Sequence, residues 1–170
     1  MNTPNKLTLA RMIATPIFMV VMLMAFPYHY TVSLVLFAVA SVTDAIDGHM
    51  ARKYNMVTDF GKFMDPLADK MLTTSAYLGF MFVYGGGKFA WQIVIITFIV
   101  LFREFAVSSI RLVAVTAGGK VVAANMWGKC KTVSQMVGIV FALAVYAFNE
   151  FVEIGGSIFA VLDVIVIALF

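Results

Sequence analysis

Charged residues are scarce in this chain: Asp, Glu, Lys and Arg make up 12% of its 170 residues, whereas 62% are hydrophobic. This composition excludes an ordinary soluble domain, in which about 25% of the residues are charged. Several apolar runs approach or exceed the roughly 20 residues that a helix needs to cross a bilayer. The sequence therefore predicts an all-α integral membrane protein with several spans.

Cysteine and histidine are also rare, since the chain contains one cysteine, Cys130, and two histidines, His29 and His49. A single cysteine excludes a disulfide within the chain. So few soft ligands also argue against a zinc site. The basic residues form no long run and do not alternate with exposed aromatic residues, so we expect no nucleic-acid partner despite the net charge of +3.

Six helices are predicted from the apolar runs and the turn residues between them, at about residues 2–26, 31–53, 60–84, 89–113, 127–148 and 157–170. Residues 1–170 are expected to form one membrane-embedded domain with six transmembrane helices. At about 1.5 Å per residue, the sixth helix is short of a 30 Å bilayer core. Either it begins earlier or the native chain continues past Phe170, and the sequence leaves both alternatives open.

The basic residues fall almost entirely on one side of this six-helix layout. Eleven of the 12 lie at the side that holds the chain termini, and only Lys88 lies on the other. The positive-inside rule makes the crowded side cytoplasmic. Glu150, Glu153 and Asp163 are interpreted as solvated groups on the outer side, although Asp163 stands within the sixth helix without an explanation.

Four aspartates lie at the cytoplasmic ends of the second and third helices: Asp44, Asp47, Asp65 and Asp69. The first two are three residues apart and the last two four apart, so each pair lies on one helix face. Two like charges about 4 Å apart cost about 4 kcal/mol at an effective dielectric constant of about 20, so such a cluster needs shared protons or bound cations. Oxygen ligands favour Mg²⁺ or a similar hard ion. The structural alternative is helix capping and ion pairing with nearby Lys and Arg.

The spacing Asp44-x2-Asp47-Gly48-x2-Ala51-Arg52-x8-Gly61-x3-Asp65-x3-Asp69 resembles the signature of the CDP-alcohol phosphotransferase family. These membrane enzymes transfer a phosphatidyl or similar group from a CDP-linked donor to an alcohol. The resemblance implies the family's six-helix fold, with two Mg²⁺ or Mn²⁺ ions. It implies Asp44, Asp47 and Asp65 as metal ligands, and Asp69 as the catalytic base and a possible further ligand. It also implies a homodimer.

Small and polar residues beside the aspartates are candidates for binding the CDP portion of the donor: Asn5, Thr8, Gly48, Ala51, Arg52 and Gly61. Gly48, Ala51 and Gly61 lack bulk, which lets a nucleotide approach the helix backbone. Asn5 and Thr8 are equally compatible with helix capping and an interfacial position.

Four cations are candidates for binding the phosphate of the acceptor: Arg103, Arg111, Lys129 and Lys131. A charge as deep in an apolar run as that of Arg103 usually marks a pathway, a partner or a site. For the two lysines, simple membrane anchoring is the alternative. Arg103 and Glu104 are adjacent on a helix and need not pair with each other.

The segments around Arg103 and Lys129 resemble those of the glycerol-phosphate branch of the family. The resemblance implies CDP-diacylglycerol as donor, sn-glycerol 3-phosphate as acceptor, and a bacterial-type plasma membrane with the active site facing the cytosol. The alternatives are an inositol-phosphate or phosphatidylglycerol acceptor, or a cation transporter. A transporter would be expected to have acidic residues at the membrane midplane, whereas here they collect at one end.

Overall fold

The computed structural model describes residues 3–53, 59–116, 126–152 and 156–169. For residues 3–5, 45, 47–53, 59–63, 65–66, 111–116, 126–129 and 156–157 the description is of the backbone alone. Within these ranges the chain forms six α-helices: α1 Thr3–Leu23, α2 His29–Lys53, α3 Asp59–Tyr84, α4 Ala90–Thr116, α5 Met126–Phe151 and α6 Gly156–Leu169. The predicted helices are thus confirmed, with bounds that differ by three residues or fewer.

Three of the described helices contain stretches that are long and apolar enough to cross a membrane: Lys6–Leu23, Ala90–Ile110 and Cys130–Phe151. Shorter apolar stretches occupy His29–Asp44 and Ile158–Leu169. Helices suit this environment because every backbone N–H and C=O within the helix interior is satisfied without water. The fold is therefore that of a helical membrane protein.

The core lies where α1, α2, α3 and α5 pack together, while α4 packs on α3 and α6 packs on α5. Fully buried aromatic side chains occupy this core, among them Phe18, Phe37, Tyr77 and Phe80. The outward face of α4 instead exposes large apolar side chains such as Phe98 and Phe102. Exposed apolar area of this kind is what a helix presents to lipid, which is as apolar as the side chains themselves.

A close contact between α1 and α3 fixes how these two helices meet. Gly79 of α3 faces Met22 of α1, and a Cβ atom at position 79 would lie 2.4 Å from the Met22 sulfur. Small residues let helices approach closely in membrane proteins. This contact lies near the C-terminal ends of both helices, and α1 packs against both α2 and α3.

The acidic residues at the outer end are bound within the protein, and the interpretation of Glu150 and Asp163 as solvated groups was wrong. The Glu150 carboxylate accepts hydrogen bonds from the backbone N–H groups of Tyr30 and Thr31, at 2.9 and 3.0 Å, and from the Thr31 hydroxyl at 2.8 Å. It therefore caps the N-terminus of α2 from α5, where a negative charge is favoured. Asp163 accepts hydrogen bonds from the hydroxyls of Tyr84 and Tyr146, at 2.8 and 3.2 Å. Glu153 lies outside the described residues.

Candidate active site

The polar side of α1 faces the end of α2. Thr8 and Arg11, which are three residues apart and so share a face, are only 1% and 2% exposed. The Arg11 guanidinium forms an ion pair with the carboxylate of Asp44, the first of the four predicted aspartates. Removing one partner of a buried ion pair leaves an uncompensated charge, which is strongly destabilising. Arg11 and Asp44 therefore hold the ends of α1 and α2 together at this site.

Asp69 lies beside this pair, in the part of α3 that precedes the apolar run beginning at Met71. Burial raises the pKa of the Asp69 carboxyl, and the negative charge of Asp44 raises it further, while Arg11, Lys70 and Lys131 act in the opposite direction. Asp44 of α2 and Asp69 of α3 are thus close enough to interact electrostatically. The structure brings together one aspartate from each predicted pair.

One oxygen of Asp69 has no hydrogen-bond partner among the described residues. Its Oδ1 is buried, and no described residue donates a hydrogen bond to it. A buried polar atom is normally satisfied, and an exception calls for an explanation such as a catalytic role or the binding of an ion. An unsatisfied carboxylate oxygen near a second carboxylate has the donor chemistry that Mg²⁺ or Mn²⁺ requires. The residues present therefore fit a hard divalent cation.

The described side chains alone do not complete a metal site, since among them no group of three His, Cys, Asp or Glu residues lies close enough to hold an ion. The remaining predicted ligands, Asp47 and Asp65, have their backbones in α2 and α3, and their side chains lie outside the described part of the chain. Their assignment as ligands stays a prediction.

A second charged group lies where α3, α4 and α5 meet. Glu104 of α4 forms ion pairs with Lys131 of α5 and, at 3.1 Å between Nη1 and Oε1, with its neighbour Arg103. The Lys70 ammonium of α3 lies 3.5 Å from the Glu104 carbonyl oxygen. Arg103 and Glu104 thus pair after all. Their long side chains bend toward each other although their Cα–Cβ bonds diverge.

This charged group is adjacent to the carboxylates. Lys131 interacts electrostatically with Asp69, with Arg103 and with Lys70. Two of the four predicted acceptor-binding cations, Arg103 and Lys131, therefore lie together, and Lys131 also interacts with the predicted base. The side chains of the other two, Arg111 and Lys129, are outside the described residues.

The candidates for binding CDP are described only in part. Thr8 is buried on α1, where it lies one turn from Arg11. The others have their backbones in α1, α2 and α3, and their side chains are not among those described: Asn5, Gly48, Ala51, Arg52 and Gly61. Their role in binding the nucleotide stays a prediction.

Sequence reasoning gave no role to three residues that the structure places in these groups: Arg11, Lys70 and Glu104. The sequence does mark two of these residues as unusual. Arg11 opens an apolar run, and a charged residue in a membrane helix usually has a partner or a function. Glu104 is the only acidic residue of α4. Nothing in the sequence singled out Lys70 from the other cations at this end.

Comparison with known proteins agrees with the signature found in the sequence. A family model described as CDP-alcohol phosphatidyltransferase matches residues 1–169. A CDP-diacylglycerol--glycerol-3-phosphate 3-phosphatidyltransferase of Bacillus subtilis is 44% identical over 150 residues, covering 81% of this chain and 74% of the relative. A probable phosphatidylglycerophosphate synthase of Mycobacterium tuberculosis is 38% identical over 141 residues, covering 81% of this chain and 64% of the relative.

A third relative, from Salmonella paratyphi A, has the same name as the Bacillus protein and is 35% identical over 156 residues, which cover 91% of this chain and 82% of that relative. The match to the family model extends over nearly the whole chain, and these relatives agree with it. The chain belongs to the CDP-alcohol phosphatidyltransferase family.

Proposed function

We propose that this protein transfers the phosphatidyl group of CDP-diacylglycerol to sn-glycerol 3-phosphate, giving phosphatidylglycerophosphate and CMP. The observation that carries the proposal is the environment of Asp69, whose carboxylate is close enough to both Asp44 and Lys131 to interact with them electrostatically and has a buried oxygen to which no described residue donates. A carboxylate between a candidate metal ligand and a cation suits a reaction between two phosphate-bearing substrates. The names of the relatives support the choice of donor and acceptor.

The reaction is an in-line displacement at the phosphorus that bears the diacylglycerol. A hydroxyl oxygen of glycerol 3-phosphate forms the new bond to that phosphorus, and the bond from the phosphorus to the CMP oxygen breaks, so that CMP leaves with the electron pair. Asp69 accepts the proton of the attacking hydroxyl, which requires its carboxylate form. Arg11 holds Asp44 in place by their ion pair.

The metal would be held by Asp44, Asp47, Asp65 and Asp69. When bound, Mg²⁺ or Mn²⁺ neutralises the charge of the diphosphate and of the transferring phosphoryl group. We propose two ions per site, as the family resemblance implies. The unsatisfied Asp69 oxygen supports a cation at this position.

The phosphate of the acceptor is the group that the protein would recognise. Arg103 and Lys131 both contact Glu104, and Lys131 interacts with Asp69. With Arg111 and Lys129 they would bind the phosphate of glycerol 3-phosphate. An acceptor without a negative charge, such as free serine, would have less use for these cations. Asn5, Thr8, Gly48, Ala51, Arg52 and Gly61 would bind the CDP portion of the donor.

The proposed reaction also suggests how the protein lies in the membrane. We propose that all six helices cross a bacterial-type plasma membrane, that the site faces the cytosol, and that the protein is a homodimer. The clustering of 11 of the 12 basic residues on one side supports this orientation. The lipid tails of the donor stay in the bilayer, while its headgroup reacts at the cytosolic surface.

The proposal is tested by measuring CMP release from purified protein in detergent micelles that contain CDP-diacylglycerol. We expect release only with glycerol 3-phosphate and Mg²⁺ or Mn²⁺ together, and its loss after chelation, with recovery when metal is restored. Inositol phosphate, serine and phosphatidylglycerol are the comparison acceptors. Faster turnover with any of these, or undiminished turnover after exhaustive chelation, would contradict the proposal.

A further inference from the structure

Glu104 is the only described anion in the group of cations that lies beside Asp69. One of its carboxylate oxygens, Oε1, contacts both Arg103 of its own helix and Lys131 of α5. Its backbone carbonyl oxygen faces the Lys70 ammonium of α3. A single residue of α4 thus touches cations from three helices.

The cations in this group repel one another. Arg103 and Lys70 both act on Lys131 with like charge, and like charges separate unless an anion or water lies between them. Glu104 is 23% exposed and Lys131 is 26% exposed, so water screens this repulsion only in part. The carboxylate therefore keeps the Arg103 and Lys131 side chains converged when no substrate phosphate is present.

The charge of the group suits a phosphate monoester. Three cations, the Glu104 carboxylate and the neighbouring Asp69 carboxylate leave a net charge of +1, and a phosphate monoester carries between one and two negative charges near neutral pH. Glu104 also occupies only part of the donor capacity of its partners, since a guanidinium has five N–H donors and an ammonium has three. Donors remain for a phosphate that binds beside the carboxylate.

We propose that Glu104 is a positioning residue that holds Arg103 and Lys131 together to receive the phosphate of the acceptor. The inference rests on the proposed function, because it takes the acceptor to be a phosphate ester. Glu104 does not touch the reacting atoms in this assignment. It acts through the two cations, and its effect is on acceptor binding.

The test is the Glu104→Gln variant, which keeps the shape of the side chain and removes its charge. We expect the KM for glycerol 3-phosphate to rise about tenfold, with kcat and the KM for CDP-diacylglycerol within about twofold of the wild type. Loss of an interaction that serves substrate and transition state equally raises KM without changing kcat. Glu104→Asp, which keeps the charge on a shorter side chain, should show an intermediate KM.

The changes in the two KM values and in the melting temperature distinguish this role from three others. Removing a negative charge near an anion site raises the local positive potential, so long-range electrostatics alone predicts a lower KM for glycerol 3-phosphate. A carboxylate that merely competes with the substrate phosphate predicts a lower KM as well. A purely structural role predicts equal losses toward both substrates together with a lower melting temperature. Any of these results, or an unchanged KM, would overturn the inference.

Glu150→Gln is the matched control, because it makes the same chemical change at the far end of the protein. Its KM for glycerol 3-phosphate should equal that of the wild type. If Glu104→Gln does not fold, Glu104→Asp replaces it, with the smaller, intermediate rise in acceptor KM given above and an unchanged donor KM. A wild-type protein that releases no CMP with glycerol 3-phosphate would refute the proposed function, whereas an active wild type with an unaltered Glu104→Gln variant would refute only the role of Glu104.

Discussion

The two ends of the helix bundle both hold carboxylates away from bulk water, but they treat them differently. At the outer end, Glu150 and Asp163 accept hydrogen bonds from backbone N–H groups, a threonine hydroxyl and two tyrosine hydroxyls. At the other end, Asp69 has a buried oxygen to which no described residue donates. At the outer end each carboxylate thus receives several protein donors, whereas at the other end one buried oxygen of Asp69 receives none from the described residues.

This difference separates structural from chemical roles. A carboxylate whose oxygens all accept hydrogen bonds from the protein fixes the fold, and it has little left to offer a ligand. A carboxylate with an unsatisfied buried oxygen is unfavourable for stability, and such positions cluster at functional sites. Substitution of Asp69 should therefore affect catalysis more than stability, and substitutions at the outer end should do the reverse.

The largest effect is expected for Asp69→Asn. The amide has nearly the shape of the carboxylate but cannot act as a base, so kcat should fall by about 10²–10⁴-fold, the usual contribution of general acid–base catalysis. The melting temperature in detergent should stay the same or rise, because the substitution removes a buried charge whose Oδ1 has no described hydrogen-bond donor. Steady-state CMP release and thermal unfolding of the same preparation measure both quantities. Activity within tenfold of the wild type would contradict the assignment of Asp69 as the base.

A smaller effect, and on stability alone, is expected for Glu150→Gln. The carboxylate accepts three hydrogen bonds at the N-terminus of α2, and the neutral amide can accept with only one oxygen. Loss of a capping interaction typically costs about 1 kcal/mol, so the melting temperature should fall by a few degrees while kcat and both KM values stay within about twofold. A fall in kcat comparable to that of Asp69→Asn would remove the distinction between the two ends.

The helices could be predicted from the sequence because local patterns determine them. Apolar runs separated by turn residues set the bounds of all six within three residues, and the aspartate signature indicated the family without any coordinates. The four aspartates could be predicted to form one cluster because each pair lies on one face of a helix end. Of these, the described side chains bring Asp44 and Asp69 close together.

The partners of individual polar residues could not be predicted, because they depend on how distant helices pack. Glu150 and Tyr30 are 120 residues apart, and no local pattern relates them. The pairing of Arg103 with Glu104 was missed for a different reason: helix geometry describes the Cα–Cβ directions, whereas long side chains can bend around them. Arg11 and Asp44 are 33 residues apart, so no local pattern relates this pair either.

The smallest effects are expected at the two tyrosines that donate to Asp163, and they test how the outer end shares its hydrogen bonds. Tyr84→Phe removes the 2.8 Å hydrogen bond and Tyr146→Phe the 3.2 Å one. Either variant leaves Asp163 with one described donor, so each should lower stability by only about 0.6 kcal/mol, the average for hydrogen bonds between membrane helices. The double variant leaves it with none, so its loss of stability should exceed the sum of the two single losses, because the second removal leaves the carboxylate unsatisfied. Thermal unfolding of the four proteins measures this coupling. Additive losses would mean that water already satisfies Asp163, and in that case the outer end would resemble the inner one more closely than its hydrogen bonds indicate.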